Sequence, residues 1–264
     1  MGKFDGYLIC SDLDSTFSIE TVPVRKNIDA VKYFIKNGGR FTFATGRTAE
    51  YLRNTEMFEL INSPVCICNG SAVYDYKQEL ILRHRENNFT LSEFLEAIGD
   101  WRKKFEGMYI YFSHKTQQAA NTAEHEFNKE ELSKKPIKIV CSFAQPTDAK
   151  LAHEFKTYCQ IHPTFKTTYV SNSWITGVEF NSVDGTKGSA VKFIKEYMKD
   201  IHTAVAIGDY DNDISMIKAA DIGVCPKSGL ESAKKEADIV VCDASDGAVA
   251  HLIEILEKRI DSNL

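Results

Sequence analysis

Two aspartates, Asp12 and Asp14, follow a short apolar run, Tyr7-Leu8-Ile9-Cys10, and precede Ser15-Thr16. The run reads as a buried strand. A turn at its end can bring both carboxylates into one crevice, where open α/β sheets place their sites. A second acidic cluster, Asp209, Asp211 and Asp213, follows the apolar strand Thr203–Ile207. Thr45 ends another apolar run, and Lys187 opens a helix-like stretch. Taken singly, Thr45 reads as a strand-end cap and Lys187 as a solvated cation. Together the groups suit one ligand type. Carboxylates hold a hard divalent cation through oxygen, whereas Lys, Thr and helix-start N–H groups hold phosphate. Carboxylates and phosphate repel, by roughly 4 kcal/mol for two charges about 4 Å apart at an effective dielectric near 20. A metal is therefore needed, and Mg²⁺ suits a few carboxylates, waters and a phosphate oxygen. The Gly and Glu of an EF-hand loop are missing around Asp209–Asp213, and no G-x-x-x-x-G-K-[ST] loop occurs.

The elements that must position these groups alternate. Tyr7–Cys10, Arg40–Thr45 and Val65–Cys68 read as strands, with helices over Val22–Asn37 and Ala49–Leu60 between them. This is the pattern of a parallel sheet. It breaks near His84. Thr90-Leu91-Ser92-Glu93 forms a capping box that opens an amphipathic helix. Strands over Met108–Phe112 and Ile137–Phe143 follow, then a helix from Pro146 to Gln160. A final strand pair, Phe165–Val170 and Trp174–Phe180, is expected to turn at Ser171-Asn172-Ser173. His114–Lys135 is open between helix and loop. The block alternates in polarity like an α+β unit with one open sheet face. From Lys187 the parallel pattern returns, with strands Thr203–Ile207, Ile222–Cys225 and Ile239–Cys242 and a closing helix Gly247–Ile260. The expected fold is α/β: a doubly wound parallel-sheet core, residues 1–83 and 182–264, carrying an inserted α+β cap, residues 84–181.

Composition narrows the function classes. The 264 residues are 43% hydrophobic with net charge −5, enough for a core and unsuited to general binding of nucleic acid or anionic membranes. No run reaches the roughly 18–20 apolar residues of a spanning helix. Lys3 is followed by no long apolar core, so no secretory signal is expected. Seven cysteines sit largely in apolar runs, as buried thiols of a reducing cytosol do. Cys66-x-Cys68 has no partner motif for zinc.

Four motifs then combine: D-x-D-x-T at Asp12–Thr16, Thr45-Gly46-Arg47, Lys187-Gly188, and Gly208-Asp209-x-x-Asn212-Asp213. In this order they resemble the haloacid dehalogenase superfamily. The insertion point, with Asn69-Gly70 and Glu179, resembles its Cof-type phosphatases, which carry an α/β (type IIB) cap there. The resemblance implies Asp12 as nucleophile, forming an aspartyl-phosphate, and Asp14 as general acid and base. It implies that Thr45 and Lys187 hold phosphate, with Ser15, Thr16, Gly46, Arg47, Asn69 and Asn212 as further substrate or phosphate contacts. Asp12, the Asp14 carbonyl and Asp209 would bind Mg²⁺, supported by Asp213. Ser15 departs from the family's usual Gly, which matters if the backbone there needs positive φ.

The expected activity is Mg²⁺-dependent hydrolysis of a small phosphorylated metabolite, a sugar phosphate first. A phosphomutase is the enzyme alternative, for which His114-Lys115 and Lys134-Lys135 do not decide. A non-catalytic binding module is the alternative from another class. A receiver domain lacks the large insertion, and a metal-free dehalogenase would not need Asp14 or the cluster at Asp209. A cytoplasmic protein, monomeric or homodimeric, without nucleic-acid or membrane partners, is expected.

Overall fold

Leu8, Ile9 and Cys10 in the first strand, β1 (Tyr7–Ser11), are fully buried because both faces of the strand are covered. Ile9 joins one apolar cluster with Val31, Phe34, Phe41 and Leu252, whereas Leu8 and Cys10 join another with Ala190, Val191 and Met216. Each such side chain contributes about 1.5–3 kcal/mol on burial. The computed structural model describes residues 2–114, 118–120, 125–144 and 146–262, with 118–120 and 146 described by backbone alone; Lys115 lies outside them.

The chain divides into two units, Met1–Arg83 with Lys187–Leu264, and His84–Thr186. In the first, β1 leads to a hairpin of β2 (Ser18–Ile19) and β3 (Val22–Pro23), then helix α1 (Arg25–Lys36), β4 (Arg40–Phe43) and α2 (Ala49–Arg53). A 3-10 turn at Glu56–Leu60 precedes a small sheet of β5 (Val65–Ile67), β6 (Ala72–Asp75) and β7 (Leu80–His84). The expected helix from Val22 is thus shorter. Val22 and Pro23 pair with Ile19 and Ser18 through a turn in which Glu20 and Thr21 hold φ of 47° and 71°. Neither is Gly or Asn, so no local turn signature existed.

The second unit contains α3 (Leu91–Ile98), β8 (Gly107–Tyr111), β9 (Gln118–Ala120), α4 (Lys129–Ser133), β10 (Lys138–Ser142), α5 (Ala149–Ile161), β11 (Thr168–Trp174) and β12 (Gly177–Ser182). Its sheet runs β11-β12-β10-β8-β9. The Thr90–Glu93 capping box forms. One expectation fails here. Ser171 and Asn172 do not turn but pair with Glu179 and Val178, and the strand continues to Trp174. Ladder pairing overrides the turn preference of Ser and Asn. The reversal comes at Ile175-Thr176, where a Cβ on Gly177 would meet the Trp174 ring at 2.3 Å. β10 and β12 are buried throughout, and they carry Lys138 and Glu179 as an ion pair at 2.9 Å.

The first unit resumes with α6 (Lys187–Tyr197), β13 (Thr203–Ile207), α7 (Ile214–Ala219), β14 (Ile222–Pro226), α8 (Glu231–Glu236), β15 (Ile239–Val241) and α9 (Ala244–Ser262), broken at Gly247 with φ of 100°. Its parallel sheet runs β15-β14-β13-β1-β4. Helices α1 and α9 cover one face, α6 and α7 the other. Six cysteines are buried, Cys242 is half-buried, and all have free thiols.

Candidate active site

Register brings the reactive strand ends to one edge. Ser11 lies beside Ile207 of β13 and Phe43 of β4, and the Asp12 N–H continues the ladder to the Ile207 carbonyl at 2.8 Å. Behind Asp12 the chain folds tightly, with the Ser15 N–H on the Ser18 carbonyl and the Ser18 N–H on the Leu13 carbonyl. Ser15 sits at φ of 63°, a left-handed conformation that suits Gly and costs other residues about 1–2 kcal/mol.

Lys187, first in α6, is 1% exposed. Its Nζ lies 2.6 Å from Asp12 Oδ1 and 2.6 Å from Asp213 Oδ1. Helix α6 comes this close because residue 188 is glycine: a Cβ there would meet the Ser215 carbonyl oxygen at 2.0 Å. Asp213 Oδ2 accepts from the N–H groups of Asp209 and Tyr210, both at 3.0 Å. Thr16 Oγ1 donates to Asp209 Oδ1 at 2.8 Å. Both Asp213 oxygens are therefore engaged. Among the described residues, Oδ2 of Asp12 and Oδ2 of Asp209 accept no hydrogen bond.

Three buried carboxylates against one ammonium leave two negative charges uncompensated. Burial, then the Asp213 charge, pushes the Asp12 carboxyl well above the usual range, against the pull of Lys187. Burial and Asp213 push Asp209 up to about 7. For Lys187, burial disfavours the charge, but Asp12 and Asp213 outweigh it and raise its pKa. Oxygens of Asp12, Asp209 and Asp213 lie within 4.8 Å of one another. An all-oxygen, doubly negative donor set fits a hard divalent cation such as Mg²⁺.

The other expected residues form a neighbouring group. Arg47 grips Asp14 bidentately, with Nε and a terminal nitrogen each 3.1 Å from a carboxylate oxygen. Its guanidinium stacks over Tyr51 at 4.7 Å. Thr45 is fully buried and its Oγ1 accepts from the Arg47 N–H. Gly46, half-buried, lies between them. The Asn69 N–H donates to the Thr45 carbonyl, and Asn69 Oδ1 accepts from Asn212 at 3.4 Å. Asp14 is thus turned to Arg47 and stands outside the triple-aspartate cluster. Sequence reasoning named both residues but missed their pairing, and it missed Tyr51. Arg47 lies before the Thr48 cap of α2, so no helix-face spacing pointed to Tyr51.

The sequence profile of the haloacid dehalogenase-like hydrolases matches residues 9–253. The chain belongs to the haloacid dehalogenase-like hydrolases. It is 31% identical to a phosphoglycolate phosphatase of Methanosarcina acetivorans, covering 97% of this chain and 98% of that one. It is 24% identical to a 5-amino-6-(5-phospho-D-ribitylamino)uracil phosphatase of Bacillus subtilis, covering 93% and 94%. In fold it matches a HAD subclass IIB sugar phosphatase with a TM-score of 0.76 over 94% of this chain and 98% of that one, at 17% identity. This haloacid dehalogenase-like hydrolase is an enzyme of the phosphatase type. Among its described residues no helix is long and apolar enough to cross a membrane.

Proposed function

We propose that the chain hydrolyses the phosphomonoester of a small phosphorylated metabolite, a sugar phosphate first, with Mg²⁺ and through an aspartyl-phosphate on Asp12. The observation that carries this reading is the buried Lys187 ammonium bridging Asp12 and Asp213 beside Asp209. Lys187 orients Asp12 through Oδ1, which leaves Oδ2 to attack phosphorus in line. Asp12, the Asp14 carbonyl and Asp209 would hold Mg²⁺, while Asp213, with both oxygens engaged, fixes the loop. When bound, Mg²⁺ neutralises the carboxylates and polarises the phosphoryl oxygens.

Asp14 protonates the leaving oxygen and then takes a proton from the attacking water. Its pair with Arg47 is over 40% exposed on both sides, at 43% and 42%. Such a pair is worth at most about 1 kcal/mol, so Arg47 can exchange Asp14 for a phosphate oxygen at little cost. Thr45 and Lys187 hold the phosphate, with Ser15, Thr16, Gly46, Asn69 and Asn212 around it. We assign selectivity among metabolites to the insertion, residues 84–181. The test is phosphate release from a panel of phosphorylated metabolites with Mg²⁺, comparing the unmodified chain with Asp12→Asn. Release by the unmodified chain alone is expected. Equal release by both, or none from any substrate, defeats the proposal.

A further inference from the structure

Within the first unit, at the edge of the sheet opposite the aspartates, lies a recess of about 190 Å³. Arg40 opens β4, whose far end leads to Thr45, and Pro64 directly precedes β5. Tyr197 and Met198 close α6, whose first residue is Lys187. Ten residues of helix put the recess about 15 Å from the Lys187 end. It is therefore separate from the proposed phosphate site.

Its walls are apolar and aromatic: Ile61, Pro64, Met198 and the rings of Tyr76 and Tyr197. Both rings are held in place. The Tyr76 hydroxyl donates to the Ala49 carbonyl, and its ring meets Phe58 edge-on. The Tyr197 hydroxyl accepts from Gln78, and its ring stacks on Phe193. The other polar liners are consumed within the fold. Asp75 takes the N–H groups of Lys77 and Gln78 and the Gln78 amide. Asn62 is spent on the Phe41 N–H and the Gly39 carbonyl.

Two cations, Lys77 and Arg40, line the recess beside the Asp75 carboxylate, whose oxygens are taken up by neutral donors. Among the described residues the Lys77 ammonium has no hydrogen-bond or ion-pair partner, and Arg40 uses one terminal nitrogen on the exposed Asp200. An apolar cavity of roughly 150 Å³ holds one benzene, so this recess holds one ring and a small substituent. We propose that the recess binds a single-ring aromatic carboxylate, the ring between Tyr76 and Tyr197 and the carboxylate on Lys77 and Arg40.

Sodium benzoate is the probe, titrated by calorimetry into the whole chain, with benzamide and cyclohexanecarboxylate as comparators. Benzoate is expected to saturate, with each comparator about tenfold weaker, the first lacking charge and the second lacking the ring. Lys77→Ala and Arg40→Ala should each weaken benzoate about tenfold. Tyr197→Ala should abolish binding and Tyr197→Phe preserve it. Asp12→Asn, at the other edge, should bind benzoate unchanged, so this test stands apart from that of the phosphatase reading. No saturation up to about 10 mM, equal binding of benzamide, or binding that survives Tyr197→Ala but is lost on Lys187→Met overturns the proposal.

Discussion

In chelator this protein should become less stable as the pH rises, a slope opposite to that of carboxylates whose pKa a salt bridge lowers. The cause is Asp209, raised from 3.8 to about 7 by burial and by Asp213. A folded-state pKa above the unfolded one means that the folded chain binds the extra proton between those values. Its stabilisation is complete below about pH 4 and is lost as pH climbs through 7. At about 1.4 kcal/mol per tenfold in proton affinity, the loss is on the order of 4 kcal/mol. Asp12, shifted in the same direction by burial, adds to it. For a chain of this size the midpoint should drop by roughly 10 °C between pH 5 and pH 8 in chelator. The proposed Mg²⁺ would take the deprotonated carboxylates, so adding it should raise the midpoint strongly at pH 8 and little at pH 5. At a hundred times its dissociation constant it contributes about 2.7 kcal/mol. Calorimetric melts across this range, with chelator or Mg²⁺, measure both slopes. Asp209→Asn should flatten each. A chelated midpoint that holds or rises from pH 5 to pH 8, or an equal Mg²⁺ effect at both, refutes the electrostatic account of the cluster.

Asp14→Asn should slow hydrolysis of a sugar phosphate by about 10²–10⁴-fold, yet give a burst near one equivalent of nitrophenol from a nitrophenyl phosphate, with phosphate trapped on Asp12; rapid-quench kinetics and mass spectrometry read both, and steady turnover near the unmodified rate speaks against the role. Replacing Glu20-Thr21, both at positive φ, by Asn-Gly, the residue types that tolerate that conformation best, should raise stability by about 1 kcal/mol, seen as a higher denaturant midpoint; a lower midpoint shows the turn is not strained. Lys138→Met removes the ammonium paired with the buried Glu179 and should cost about 3–5 kcal/mol, most of it regained in Lys138→Met/Glu179→Met; urea unfolding decides, and additive losses contradict the buried-pair account.

The candidate site's edge was legible because its residues are fixed by strand ends. Tyr7–Cys10 and Thr203–Ile207 are apolar runs that can only be buried strands, and their parallel pairing carries Asp12 to Asp209 and Asp213. Lys187 was legible as a cation, but its bridging of two carboxylates depends on the Gly188 contact with Ser215, which no local pattern shows. Arg47 was read toward phosphate and sits on Asp14, since a guanidinium takes whichever anion is at hand. The Ser171–Ser173 misreading and the unseen β2–β3 turn share a cause. Cross-strand pairing sets the backbone at both, against the turn preference of Ser and Asn at the first and without any Gly or Asn signature at the second. The recess behind the sheet had no motif at all, because its liners come from four separate segments.

The neighbours β1 and β13 are far apart in the chain, Tyr7 pairing with Thr203 about 200 residues later. At roughly 5–20 residues per second, a growing chain leaves that edge of β1 without its partner for about 10–40 s. Meanwhile Leu8, Ile9 and Cys10 lie against only half of their final surroundings. The insertion, with its own apolar cluster, is synthesised in that interval and can fold first. Asp12 meets neither Lys187 nor Asp213 until translation has passed both, so a nascent chain carries its proposed nucleophile long before the aspartate cluster can assemble. Such a split first unit is slow to close, and its early half waits longest with an unpaired strand edge.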